Sequence, residues 1–71
     1  MRLQECRKHK LMSLRDLATA ANVGPATVHA IEKGRAPSLR TIGKIARALN
    51  VDPLEIDEFR AVIENGAKEL A

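Results

Sequence analysis

The sequence predicts an all-α fold of five short helices, and three observations lead to it. Apolar residues recur at helical spacing: Leu14, Leu17, Ala18 and Ala21 share one face, and Leu39, Ile42, Ile45, Ala46 and Leu49 share another. Residues that cap helices bracket both patterns, Ser13 and Ser38 in front and Asn22 and Asn50 behind. No stretch alternates apolar and polar residues as a half-buried strand would, and no repeat or low-complexity tract interrupts the chain.

The first predicted helix spans residues 2–10, with Leu3 and Cys6 turned inward. Ser13 caps the second, and Asp16, three residues later, completes a reciprocal capping box. That helix ends at Asn22, the usual substitute for glycine in a left-handed turn. Val23 follows as an apolar plug. Gly24 is then a permissive N-cap, and Pro25 takes the first position of the third helix, where its missing donor costs nothing. The third helix runs to about Lys33 and is stopped by Gly34, with only Val28 and Ile31 as its apolar face. Pro37 ends the linking loop and Ser38 caps the fourth helix, which Asn50 terminates. Asp52 and Glu55 flank Pro53 in a second capping box that starts the fifth helix, expected to reach Asn65 before Gly66 breaks or kinks it.

A chain of 71 residues makes one domain, 1–71, with a core so small that a partner subunit is expected to help stabilise it. One cysteine, Cys6, leaves no internal disulfide and suits a reducing compartment. The N-terminal residues are charged without an apolar h-region, and no run is long enough to span a bilayer, so a cytoplasmic protein with no membrane partner is expected. The net charge of +3 hides an asymmetry: residues 1–50 hold ten Lys and Arg against three acids, whereas residues 51–71 hold two against six. The basic part covers the second and third helices, which favours a polyanion as partner. Phe59, the single aromatic residue, cannot build a stacking platform, so the polyanion is a duplex rather than a single strand.

Between Leu14 and Lys33 two short helices are joined by a turn that fixes their crossing angle, which is the layout of a DNA-reading helix-turn-helix. A third helix with so thin an apolar face is one presented to a partner. In order and at matching spacing, Ala18, Asn22, Val28, Ile31, Glu32, Gly34, Pro37, Ser38, Leu39, Ala48, Leu49, Asn50 and Val51 resemble the pattern of the Cro/C1-type (XRE-like, lambda-repressor-like) helix-turn-helix family. That pattern is a small Ala in the first helix of the motif, Gly at the turn, a β-branched residue along the second, then Ile-Glu-x-Gly, Pro-Ser-Leu and a closing Ala-Leu-Gly-Val. The resemblance covers about residues 2–57 and leaves 58–71 as a helical extension.

The resemblance implies two kinds of DNA contact, phosphate anchors that set position and base-edge contacts that set sequence. The anchors are Lys33 and Arg35 on either side of Gly34, Arg15 in the first turn of the second helix, and Ser38 with Arg40 at the start of the fourth, where free backbone donors meet a phosphate. Many family members carry glutamines at the start of both motif helices; here those places hold Leu14 and Pro25, so a paired amide readout is absent. The outward residues Pro25, Ala26, Thr27, His29 and Ala30 remain for base reading: the alanines suit thymine methyls, and Thr27 and His29 can donate or accept. His29 is either such a contact or an exposed helix residue with no partner. Discrimination is then modest or depends on DNA shape. The family also pairs an Arg of the first helix with the Glu of Ile-Glu-x-Gly, here Arg7 and Glu32.

No catalytic constellation is present, since Ser13 is explained as a cap, and no enzyme activity is expected. His9, His29 and Cys6 lie on separate elements without metal-ligand spacing, so neither a metal nor any other cofactor is expected, and Cys6 reads as a small core hydrophobe. In the fifth helix Ile56, Phe59 and Ile63 share a stripe assigned to the core and its edge, while Leu54 and Val62 project elsewhere; Leu54, Val62 and Ile63 are the expected dimer contact. The function expected is that of a nucleoid-associated transcriptional regulator, a repressor binding an inverted repeat of double-stranded DNA as a homodimer. The acidic, apolar segment from Val51 to Ala71 keeps a second class open, an antitoxin or adaptor whose main partner is another protein, such as a toxin or effector.

Overall fold

The structure, a computed structural model, describes the backbone of residues 1–70 and the side chains of residues 1–65. All regular structure among the described residues is helical: α1 (Leu3–His9), α2 (Leu14–Ala21), α3 (Pro25–Glu32), α4 (Leu39–Leu49), a 3₁₀ turn (Pro53–Glu55) and α5 (Asp57–Leu70). α2 packs on both α3 and α4, and α5 closes the far side against α4 and the 3₁₀ turn. Leu3, Leu17, Val28, Ile31, Ile45, Leu49, Ile56 and Phe59 are fully buried where these elements meet.

The helix starts follow the side chains that cap them. Ser13 Oγ accepts the Asp16 N–H at 3.0 Å and the Asp16 carboxylate accepts the Ser13 N–H at 2.9 Å; that backbone donor, followed by the Ser13 hydroxyl, holds the Asp16 carboxyl below its usual range. At α4 the Ser38 Oγ accepts the Thr41 N–H at 3.2 Å, while its hydroxyl donates to Thr41 Oγ1 at 3.0 Å.

Helices α1 to α4 all end in the same way. A residue in the left-handed region turns the chain, and the next residue donates its N–H to a carbonyl of the last turn: Val23 to Ala18, Arg35 to Ala30 and Val51 to Ala46, at 2.9–3.1 Å. Asn22, Gly34 and Asn50 take the left-handed position at φ 57°, 112° and 56°. In α1 the same bond runs from Met12 to Arg7 at 3.1 Å, but the left-handed residue is Leu11, at φ 56°. No turn-forming residue marks that stop, so the sequence gives no warning of it. Leu11 is 92% exposed, so its side chain contributes no packing to offset the backbone strain. Leu11→Gly is therefore expected to stabilise the domain by about 0.5–1 kcal/mol, seen as a melting temperature several degrees higher; an unchanged or lower value would refute the strain.

Four expectations need correction. Leu39 does not join the apolar stripe of α4: it is 57% exposed, because the first helical position lies at the margin of the stripe and beyond the edge of the core. The fifth helix does not start at a capping box on Asp52. Asp52 Oδ1 accepts the Leu54 N–H at 2.9 Å to start the 3₁₀ turn, and Ile56 then adopts an extended conformation that puts its side chain into the core. α5 begins only at Asp57, and its backbone continues past Gly66 to Leu70, since one glycine costs about 1 kcal/mol in a helix and need not break it. Val62 does not project away from the domain. Both Val62 and Ile63 are half-buried against the core, because Phe59, Val62 and Ile63 together widen the inward face of α5.

The first residues of the chain are tied across the fold to the start of α5. The Asp57 N–H at the start of α5 donates to the Met1 carbonyl at 2.8 Å, and the Leu3 N–H at the start of α1 donates to Glu58 Oε1 at 2.9 Å. Each helix thus satisfies an orphan donor of the other. Nothing local to either segment could announce this pairing.

Candidate nucleic-acid interface

The third helix is held to the domain by its inner side chains and by its last residue. Val28 and Ile31 are 0% and 1% exposed. At the C-terminal end, Glu32 receives two hydrogen bonds from the guanidinium of Arg7, Nε to Oε2 at 2.8 Å and Nη2 to Oε1 at 3.2 Å. The third corner of that guanidinium, Nη1, donates to the Met12 carbonyl at 2.9 Å. One arginine thereby joins α1, the loop before α2 and the end of α3. Both side chains of the pair are about nine-tenths buried, at 10% and 7% exposure. Such a pair adds little net stability but fixes orientation through its bidentate geometry.

The outer face of α3 carries Pro25, Ala26, Thr27 and His29, all exposed. Ala30 differs from them in being half-buried, because the turn that ends the helix folds Arg35 back onto its carbonyl. With Pro25 in the first position there is no N–H to satisfy, and the Ala26 N–H is the next orphan donor at this helix start.

The left-handed Gly34 separates the two basic residues beside it. Arg35 lines a cleft of about 300 Å³ together with Thr27, Ser38 and Thr41, floored by Ile31 and the buried Pro37. Three hydroxyls, one guanidinium and the N-terminus of α4 converge there, a donor set that suits a phosphate oxygen. Lys33 lines a different cleft, beside Arg2 and the carboxylates of Glu32, Asp57 and Glu58. Arg15 and Arg40 are exposed in the first turns of α2 and α4 and border neither cleft. Of the five anchors read from the sequence, then, Arg35 and Ser38 come together, whereas Lys33, Arg15 and Arg40 stand apart. Sequence reasoning missed Thr41. Its spacing of three from Ser38 was the available signal, since that spacing puts both hydroxyls at the mouth of one helix.

Cys6 is 3% exposed in the core, and burial pushes its thiol above the ordinary value, which disfavours a reactive thiolate. Among the described residues no group of His, Cys, Asp and Glu is placed to hold a metal ion, and no helix is long and apolar enough to cross a membrane.

Two short helices locked at a tight turn, the second with an unpacked outer face and a basic exit, define a DNA-binding helix-turn-helix domain. A helix-turn-helix family model matches residues 3–56, and the chain belongs to the Cro/C1-type helix-turn-helix family, whose members are DNA-binding regulators. Comparison with curated proteins and with solved structures gave no match.

Proposed function

We propose that this chain is a transcriptional repressor that occupies an inverted repeat of double-stranded DNA as a homodimer, α3 lying in the major groove. The observation that carries the reading is the outer face of α3, exposed while its inner face and end are clamped by Val28, Ile31 and the Arg7–Glu32 pair. A helix so fixed can enter a groove without reorganising. Pro25, Ala26, Thr27, His29 and Ala30 meet base edges; the short side chains favour thymine methyls and groove shape over bidentate hydrogen bonds. Arg15, Lys33, Arg35, Arg40 and the Ser38 end of α4 hold phosphates. Repression follows from occupancy alone, with no chemistry, on the nucleoid in the cytoplasm.

If each subunit neutralises about four phosphates, log K falls with log salt at a slope of about −7. The two clefts grade the anchors. Arg35→Ala is expected to weaken binding to every duplex and to reduce the slope by about two units, one contact being lost from each subunit, because its cleft holds no carboxylate. Lys33→Ala is expected to cost less, since three carboxylates already share its cleft. Fluorescence anisotropy titrations at several salt concentrations measure both. An unchanged slope in Arg35→Ala would remove the cleft from the interface, and binding insensitive to salt would overturn the duplex as partner.

A further inference from the structure

Among the described residues four large apolar side chains are exposed: Met1, Leu11, Leu39 and Leu54. Leu11 and Leu39 stand beside Lys10 and Arg40, in the basic part of the chain. Leu54 stands in acidic surroundings, followed by Glu55 and with the Asp52 carboxylate hydrogen-bonded to its own N–H at 2.9 Å. The backbone that presents it is fixed from the other side by Arg60, whose guanidinium donates to the Leu54 carbonyl at 3.0 and 3.2 Å. The result is a rigid apolar knob at 45% exposure with an acid bonded beneath it.

The complementary shape lies on the same chain. A groove of about 330 Å³ runs between the C-terminal end of α2 and α4, lined by Ala20, Ala21, Asn22 and Ala48 together with Lys44 and Arg47. The small side chains leave room for a leucine, and the border carries two positive charges. Among the described residues neither Lys44 nor Arg47 has an ion-pair partner, and neither has Asp52 or Glu55. Leu54 lies a few residues beyond Ala48, too close along the chain to fold back into its own groove through a rigid turn.

We propose that Leu54 of one copy seats in the Ala20–Ala48 groove of a second copy, with Asp52 against Lys44 and Arg47 of that copy, and that a two-fold axis repeats the contact in reverse. The inference rests on the homodimer proposed above and names the surface that forms it. Knob and groove are on every chain, and a two-fold arrangement closes two copies of the contact at once, whereas a head-to-tail one would close only one for each added copy. The patch is small, so the free dimer is weak, and the two DNA half-sites supply the rest of the avidity.

Sedimentation equilibrium of the full chain without DNA, at tens to hundreds of micromolar, tests it. The intact chain is expected to dimerise. Leu54→Lys, which places a cation against two others, and the paired change Lys44→Glu with Arg47→Glu are each expected to raise the dimer dissociation constant at least about tenfold. Adding Asp52→Lys and Glu55→Lys to the Lys44→Glu and Arg47→Glu pair, with Leu54 kept, is expected to restore dimerisation, since both charged sides of the contact are then reversed around an unchanged apolar knob. Circular dichroism at each step shows that these surface variants remain folded. Dimers unaffected by either single-sided change, or not restored by the combination, would overturn this surface and leave the homodimer itself standing. A strict monomer at all concentrations, with and without duplex, would overturn both.

Discussion

Replacing Arg7 by Met is expected to lower the stability of the domain by about 3–5 kcal/mol, the cost of leaving a buried charge without its partner. The loss comes less from the pair than from what it leaves behind. Glu32 would keep its charge at 7% side-chain exposure with no cation to meet it, and the Met12 carbonyl would lose its donor. A small domain has only about 5–15 kcal/mol in total, so the variant would be partly unfolded at moderate temperature. Changing both partners together, Arg7→Met with Glu32→Leu, should cost much less than the sum of the two single changes, because no buried charge is then orphaned. Chemical denaturation of the four proteins gives the cycle; a coupling energy near zero would mean that the two side chains do not act as a unit. Duplex affinity measured on the double variant adds a functional reading, since a stable domain that binds DNA poorly would show that the pair serves to orient α3.

A comparable loss, about 3–5 kcal/mol, is expected for Phe59→Ala. Phe59 is 0% exposed and is the largest fully buried side chain, and it comes from the first turn of α5. The same turn supplies Glu58, which caps α1 through the Leu3 N–H. The start of α5 is accordingly part of the domain and not an appendage to it. Ending the chain after Asp57 should unfold the protein rather than yield a folded monomer, and loss of the helical circular dichroism signal in that variant would show it. A well-folded truncated chain would refute the assignment of Phe59 to the core.

Much of this architecture was legible because its signals are local. Ser13, Asp16, Ser38, Asn22, Gly34 and Asn50 each act within one helical turn of their own position, and the starts and stops they predict are those observed. The clamp on α3 was legible only through a family pattern, since residues 7 and 32 are brought together by the fold. Where a signal was absent or distant, the reading fell short. Leu11 adopts a glycine-like conformation without being glycine, and the Glu58 cap joins residues 55 positions apart. The stripe of α4 overreached at Leu39 because periodicity counts faces but does not say where a helix passes the edge of its neighbours.

The uniform endings of α1 to α4 bear on how quickly the chain finds its structure. Each turn is settled by atoms five residues apart, so the helix boundaries are set locally, although helices this short become stable only as they pack on one another. Such a chain spends little time with loose ends or ambiguous boundaries. Among the described residues, the hydrogen bonds that reach farthest along the chain join its first residues to the start of α5, the mutual capping of α1 and α5 together with the bonds of the Met1 ammonium to the Glu55 carbonyl and the Asp57 carboxylate. That closure is expected to come late in folding and, because it seats Phe59 at the same time, to be lost together with the core rather than by separate fraying.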